Sequence, residues 1–106
     1  MDDFERNVRE QARQRIARLF KAKADSLAME AVFGEDLKAS FVSDFKANEF
    51  DLLDNDIKDV ADRRLLRDLS SGALVIRTVG DYCDHMVRCY GIKPKDVARV
   101  LQFEPT

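Results

Sequence analysis

Apolar side chains return at Phe4, Val8, Ala12, Ile16 and Phe20, with Leu19 beside them, and this spacing lays one stripe along an amphipathic helix. Asp2 and, three residues on, Glu5 have the spacing of a capping box that would start it. From Lys21 to Ala39 the period breaks, because Ala24, Leu27, Met29, Val32, Phe33 and Leu37 fall too irregularly for a long helix. A long loop that folds back and pins itself through Leu27, Val32, Phe33 and Leu37 is expected there. The helical pattern resumes at Ser40 and continues through Phe41, Phe45, Leu52, Leu53, Ile57, Val60, Ala61 and Leu65, with Phe50 and Leu66 on its flanks. Asp44, Glu49, Asp51, Asp54, Asp56, Asp59 and Asp62 make its polar face.

Arg63 to Leu69 reads as a continuation of that helix or a short third one, closed by Ser70-Ser71-Gly72. The run Ala73-Leu74-Val75-Ile76-Arg77 is β-prone, but a lone strand has nothing to pair with, so a buried connector is expected. Thr78 then caps a helix with Asp81 reaching back, and Val79, Tyr82, Cys83, Met86, Val87 and Tyr90 form its inner stripe. Gly91 stands where a C′ residue closes a helix, and Pro94 at a first helical position opens a small additional one over the tail. The pattern is that of an all-α protein, a small bundle of three or four main helices with a long loop after the first.

Length and composition narrow this picture. A chain of 106 residues suits one domain with one core. Charged residues make up 36% and the apolar set 45%, a balance that excludes a disordered chain. The net charge of −2 conceals an asymmetry: residues 1–23 carry seven basic side chains against four acidic ones, and residues 25–62 carry eleven acidic against three basic. Acidic character around Ser40 favours basic protein partners and disfavours nucleic acid. The arginines of the first helix are interrupted by Glu5 and Glu10 and lack interleaved aromatics, which marks a solvated face. No apolar run approaches the roughly 20 residues of a membrane helix, and Met1-Asp2-Asp3 lacks the basic start of a signal peptide. A cytoplasmic location is the expectation. Cys83 and Cys89 lie about 240° apart around one helix, too far for a bridge within it, and reduced thiols fit that compartment.

Ser40 is the residue on which chemistry turns. A hydroxyl at a helix N-terminus sits where unpaired N–H groups and the helix dipole favour an attached phosphate, although most serines so placed simply cap the helix. Other chemistry is poorly supported. The carboxylates from Asp51 to Asp62 lack the central Gly and terminal Glu of a calcium loop, and nothing marks a cleft for acid–base catalysis. Cys83, Asp84, His85 and Cys89 lack the paired spacing of a zinc site, and neighbouring helix positions do not face each other as a nucleophile pair must. Buried thiols and an exposed His85 are expected, with no metal site and no catalytic residues.

Phe33-Gly34-Glu35-Asp36-Leu37-Lys38-Ala39-Ser40-Phe41 resembles the segment around the modified serine of acyl carrier proteins, and Ile76-x-Thr78-Val79-Gly80-Asp81 resembles the start of that family's last helix. The likeness spans about residues 4–91 of a single domain over 1–106, leaving 92–106 as an extra C-terminal segment. Lys38 stands for the family's Gly, Ala39 for the Asp before the serine, and Ser40 comes one residue early. The distance from Ser40 to Val79 is also some ten residues longer, by an extended second helix or an inserted turn of helix after it. Ala24-Asp25-Ser26-Leu27 matches the Asp-Ser-Leu letters more closely, which makes Ser26 the rival.

The resemblance implies a carrier that catalyses nothing itself. A phosphopantetheinyl transferase would attach 4'-phosphopantetheine from coenzyme A to Ser40, and the thiol would carry acyl groups as thioesters for fatty-acid, lipid or polyketide-type biosynthesis. Asp44, Glu49, Asp51, Asp54 and Asp56 would dock on basic patches of acyl-transferring and synthase enzymes. Phe41, Phe45, Leu53, Ile76, Val79 and Met86 would shelter the acyl chain, and the protein would be a monomer. The alternative is a helical interaction module without modification, whose acidic helix binds a basic partner and whose Ser40 is only a cap.

Overall fold

The computed structural model describes residues 3–37 and 48–103, and they form helices in an all-α arrangement. Helix α1 runs Asp3–Phe20, with Asp3 and Glu5 in the first turn where the dipole favours anions. Val8, Ala12 and Ile16 of the expected stripe are buried, together with Ala17, whereas Phe4 at the outer end stays exposed. Asp2, half of the expected capping box, lies outside the described residues. Lys21, with φ at 56°, ends the helix in the left-handed region.

The long loop is present and ordered, as expected, over the described residues 21–37. A single 3₁₀ turn occupies Ala24–Ser26, and Leu27 is buried against the core. Phe33 and Leu37 pack at the margin of that core while Val32 is half-buried beside them, and the Phe20 ring stacks on Phe33 at 6.1 Å and meets Phe50 at 5.9 Å. Backbone pairing adds a restraint that side-chain periodicity does not reveal. Phe33 N–H donates to the Arg77 carbonyl at 2.9 Å, Val79 N–H to Ala31 at 3.0 Å and Gly80 N–H to Met29 at 2.7 Å. A Cβ on Gly80 would stand 3.1 Å from the Met29 carbonyl oxygen, so a side chain there would push the loop back by a few tenths of an ångström. The β-prone run before Thr78 therefore has a partner after all, a short antiparallel bridge to the loop. It is not a buried connector either: Leu74 and Ile76 are half-buried while Ala73, Val75 and Arg77 face solvent.

One continuous helix from Ser40 to Leu65 does not form. Helix α2 spans Glu49–Val60, and Asn48 in extended backbone caps it, accepting from Asp51 N–H while the Asp51 carboxylate accepts from Asn48 N–H. Ser40, Phe41, Asp44 and Phe45 lie outside the described residues. At the far end Ala61 is extended and Asp62 accepts from Leu65 N–H at 2.8 Å, which opens a separate helix α3 over Arg63–Ser71. The two strong caps explain why the apolar period is cut where it still reads as helical. Gly72, at φ 84°, closes α3.

Helix α4 spans Val79–Tyr90 with the expected Thr78–Asp81 capping box, and it is the central element of the core. Val79, Tyr82, Cys83, Met86 and Cys89 are fully buried, chiefly against α1. Gly91 follows it in right-handed backbone at φ −67°, so the left-handed closure expected there is absent. Helix α5, Pro94–Leu101, begins with Pro94 at its first turn and buries Val97, Ala98 and Leu101. Residues 94–101 are thus part of the core and make a fifth α-helix among the described residues. Among the described residues no helix is long and apolar enough to cross a membrane.

Candidate functional site

The start of α2 is acidic. Glu49 is half-buried, Asp51 is exposed while serving the cap, and Asp54 is exposed and pairs with Lys58 at 2.9 Å one turn on. With Asp59 also exposed, the outer surface of α2 carries carboxylates along its length. Anions in a first turn are stabilised by the helix dipole, and here side chains of the chain itself fill that role. Asn48, Glu49, Phe50 and Asp51 offer no hydroxyl.

Asp56 does not belong to this surface. It is only 5% exposed and turned inward, where Arg15 grips it with two parallel bonds, Nε at 2.9 Å and Nη2 at 3.1 Å. The Tyr82 hydroxyl donates to the same carboxylate at 2.9 Å. The hydrogen bond to Asp56 holds the Arg15 guanidinium above its ordinary range, and burial first, then the Asp56 charge, pushes the Tyr82 phenol well up. Asp56 is thereby removed from the docking set: it ties α1, α2 and α4 together. Its place was readable, because Leu53, Asp56 and Val60 stand at the three- and four-residue spacings of one helix face.

The two serines have different standings. Ser26 is exposed, but it ends a 3₁₀ turn and its hydroxyl donates to the Lys23 carbonyl at 2.7 Å, away from any α-helix N-terminus. Ser40 lies outside the described residues. Of the expected acyl-sheltering residues, Val79 and Met86 are fully buried in the core and Leu53 nearly so, while Ile76 sits at its edge.

His85 overturns the expectation of an exposed side chain. It is 1% exposed, and its Nε2–H donates to the Ile57 carbonyl at 2.9 Å. That carbonyl lacks its usual helical partner because Ala61 N–H turns to Lys58 instead, so the imidazole serves the frayed end of α2. Burial, followed by the nearby Arg88 charge, holds His85 below its ordinary value despite this bond. Cys89 lies one turn along the same helix, its Sγ 3.6 Å from His85 Nε2, a proximity the sequence reading missed by considering only adjacent positions. Burial pushes both thiols, Cys83 and Cys89, up to about 11, which leaves them protonated and unreactive at neutral pH. Both are free and buried. Among the described residues no group of three His, Cys, Asp or Glu side chains is placed to hold a metal ion.

Comparison with protein-family models, curated proteins and solved structures finds no match to this chain.

Proposed function

We propose that the protein is a helical interaction module that works without a covalent arm, its acidic α2 docking on a basic patch of a partner protein. The observation that carries this reading is the N-terminus of α2. There Asn48 caps the helix, with Glu49 and Asp51 in the first turn. Carboxylates there satisfy the dipole and repel a phosphate, while Asp51, Asp54 and Asp59 along the same helix give a basic partner a row of acceptors. Nothing in the reading needs catalysis by this chain.

A second reading is favoured by the order of elements: a long first helix, a long loop pinned to the start of α4, an acidic α2, a short α3 and an α4 opened by Thr78 and Asp81. This is the layout that the resemblance to acyl carrier proteins implies. On that reading Ser40, with Ser26 as rival, carries 4'-phosphopantetheine, and acyl groups ride on it between enzymes of lipid or polyketide synthesis.

One experiment separates the two. Purified protein is incubated with a broad-specificity phosphopantetheinyl transferase and coenzyme A, and its intact mass is measured. The interaction module leaves the mass unchanged; gain of one arm that Ser40→Ala abolishes establishes the carrier instead. Gain of an arm that persists in Ser40→Ala and disappears in Ser26→Ala moves the site to the rival serine.

A further inference from the structure

Helix α3 carries charge of the opposite sign in a setting that the bundle does not explain. Arg63, Leu66, Arg67 and Ser70 are all exposed and share its outward face, at the spacings that align side chains along a helix. Arg64 is exposed on the flank. Among the described residues none of these three arginines has an ion-pair partner, whereas on α1 Arg9 pairs with Glu5 and Asp84, Arg13 with Glu10 and Arg15 with Asp56, and only Arg6 and Arg18 lack one. Leu66 is 39% exposed at the centre of the face.

The arginines work against the helix that carries them. Arg63 and Arg64 occupy the first turn, where cations meet the positive end of the dipole, with only Asp62 at the cap to offset them. Arg63 and Arg67 are a like-charge pair one turn apart, which also disfavours the helix. Only Leu65 is buried on α3, with Leu69 half-buried beside it. Charges that destabilise their own element and meet no counter-charge among the described residues point to something outside the bundle.

We propose that the outward face of α3 is a docking surface for an acidic peptide segment of another protein. Guanidinium forks at Arg63 and Arg67 would each take a carboxylate in a bidentate pair, and an apolar side chain between those carboxylates would cover Leu66. An acidic peptide fits better than a nucleic acid. The outward face of α3 exposes no aromatic ring for a base to stack on. This surface is distinct from acidic α2, so the chain would join a basic partner to an acidic one.

The probe is a synthetic peptide of repeated Glu-Glu-Leu-Glu, titrated into isotope-labelled full-length protein and followed by amide chemical shifts. Shifts concentrated at residues 62–71 are expected, with binding weakened about tenfold or more in the double variant R63E/R67E and unaffected in R6E on α1. Thermal unfolding of R63E/R67E is measured alongside, and R67Q serves in its place should the double variant be unfolded. Absence of shifts at saturating peptide, shifts centred on α1, or equal binding by the variants overturns the proposal. So does tighter binding of a single-stranded oligonucleotide at the same arginines. Self-association that the double variant abolishes would give the face to a second copy and overturn it equally.

Discussion

Helices α2 and α3 are separated by Ala61 and Asp62 alone, yet they treat charge in opposite ways. On α2 one carboxylate, Asp56, goes inward and is met on both sides by Arg15 and Tyr82, while the outward carboxylates serve a cap at Asp51 and an ion pair at Asp54. On α3 no charged side chain is fully buried, Asp68 being half-buried beside Leu65, and the outward arginines meet no counter-charge among the described residues. Inward charge on this scaffold is matched by geometry and behaves as structure. The unmatched outward charge of α3 costs local stability and is free for recognition. That is why the same residue type, arginine, ties helices together at position 15 and is read as a binding group at positions 63 and 67.

The largest test of this contrast is Asp56→Ala. It leaves the Tyr82 hydroxyl buried without its acceptor and the Arg15 guanidinium, 18% exposed, without its partner. Breaking a buried pair costs about 3–5 kcal/mol, and the residual access of water to Arg15 places the expected loss near the lower end, about 3 kcal/mol. Urea denaturation measures it. A loss below about 1 kcal/mol, the range of surface ion pairs, would mean that α2 is held by its apolar face and the His85 bond and that the carboxylate is incidental.

His85 sharpens the contrast on the pH axis. Its folded value lies below the unfolded one near 6.5, so the unfolded chain takes up a proton first as pH falls. The stability tied to the neutral ring is intact above the unfolded value and is lost as pH drops from there toward the folded value, at up to about 1.4 kcal/mol per pH unit. Asp81, lowered chiefly by its bond from the Arg77 amide, loses its contribution only below its ordinary value of 3.8, outside this window. Unfolding free energies between about pH 6.5 and 5 should therefore fall for the wild type and stay flatter for His85→Gln. Parallel slopes would show that the ring is protonated in the folded protein, against the burial seen at the end of α2.

Much of this was legible in the sequence. Four- and three-residue spacings place Val8, Ala12 and Ile16 of α1 and Val79, Tyr82, Cys83 and Met86 of α4 in the core, and Thr78 with Asp81 announces the start of α4 in advance. Polar residues on apolar faces were the blind spot. Asp56 sorts by type with Asp54 and Asp59 and by position with Leu53 and Val60, and position decides, because Arg15 and Tyr82 make its burial affordable. His85 misleads for the same reason. Periodicity also carries across a cap: Asn48 and Asp62 interrupt backbone hydrogen bonding without disturbing the apolar repeat, so from Asn48 on the expected single helix is divided into α2 and α3. The backbone pairing of the loop with residues 77–80 leaves almost no trace in side-chain pattern, and Gly80 is its single clue.

The smallest expected effect is also the one that separates recognition from structure most cleanly. Replacing Arg67 by Gln retains a long side chain of similar helix propensity and removes one member of the Arg63–Arg67 like-charge pair. If α3 holds its arginines at its own expense, the variant is more stable than the wild type by about 0.2–0.5 kcal/mol, and raising the salt concentration shrinks the difference by screening the repulsion in the wild type. A structural arginine behaves in the opposite way, because its loss strands a partner. Urea midpoints at low and high salt distinguish the two: a destabilisation of about 1 kcal/mol or more would give Arg67 a place in the fold, and α3 would then resemble α2 in turning its charge to the use of the bundle.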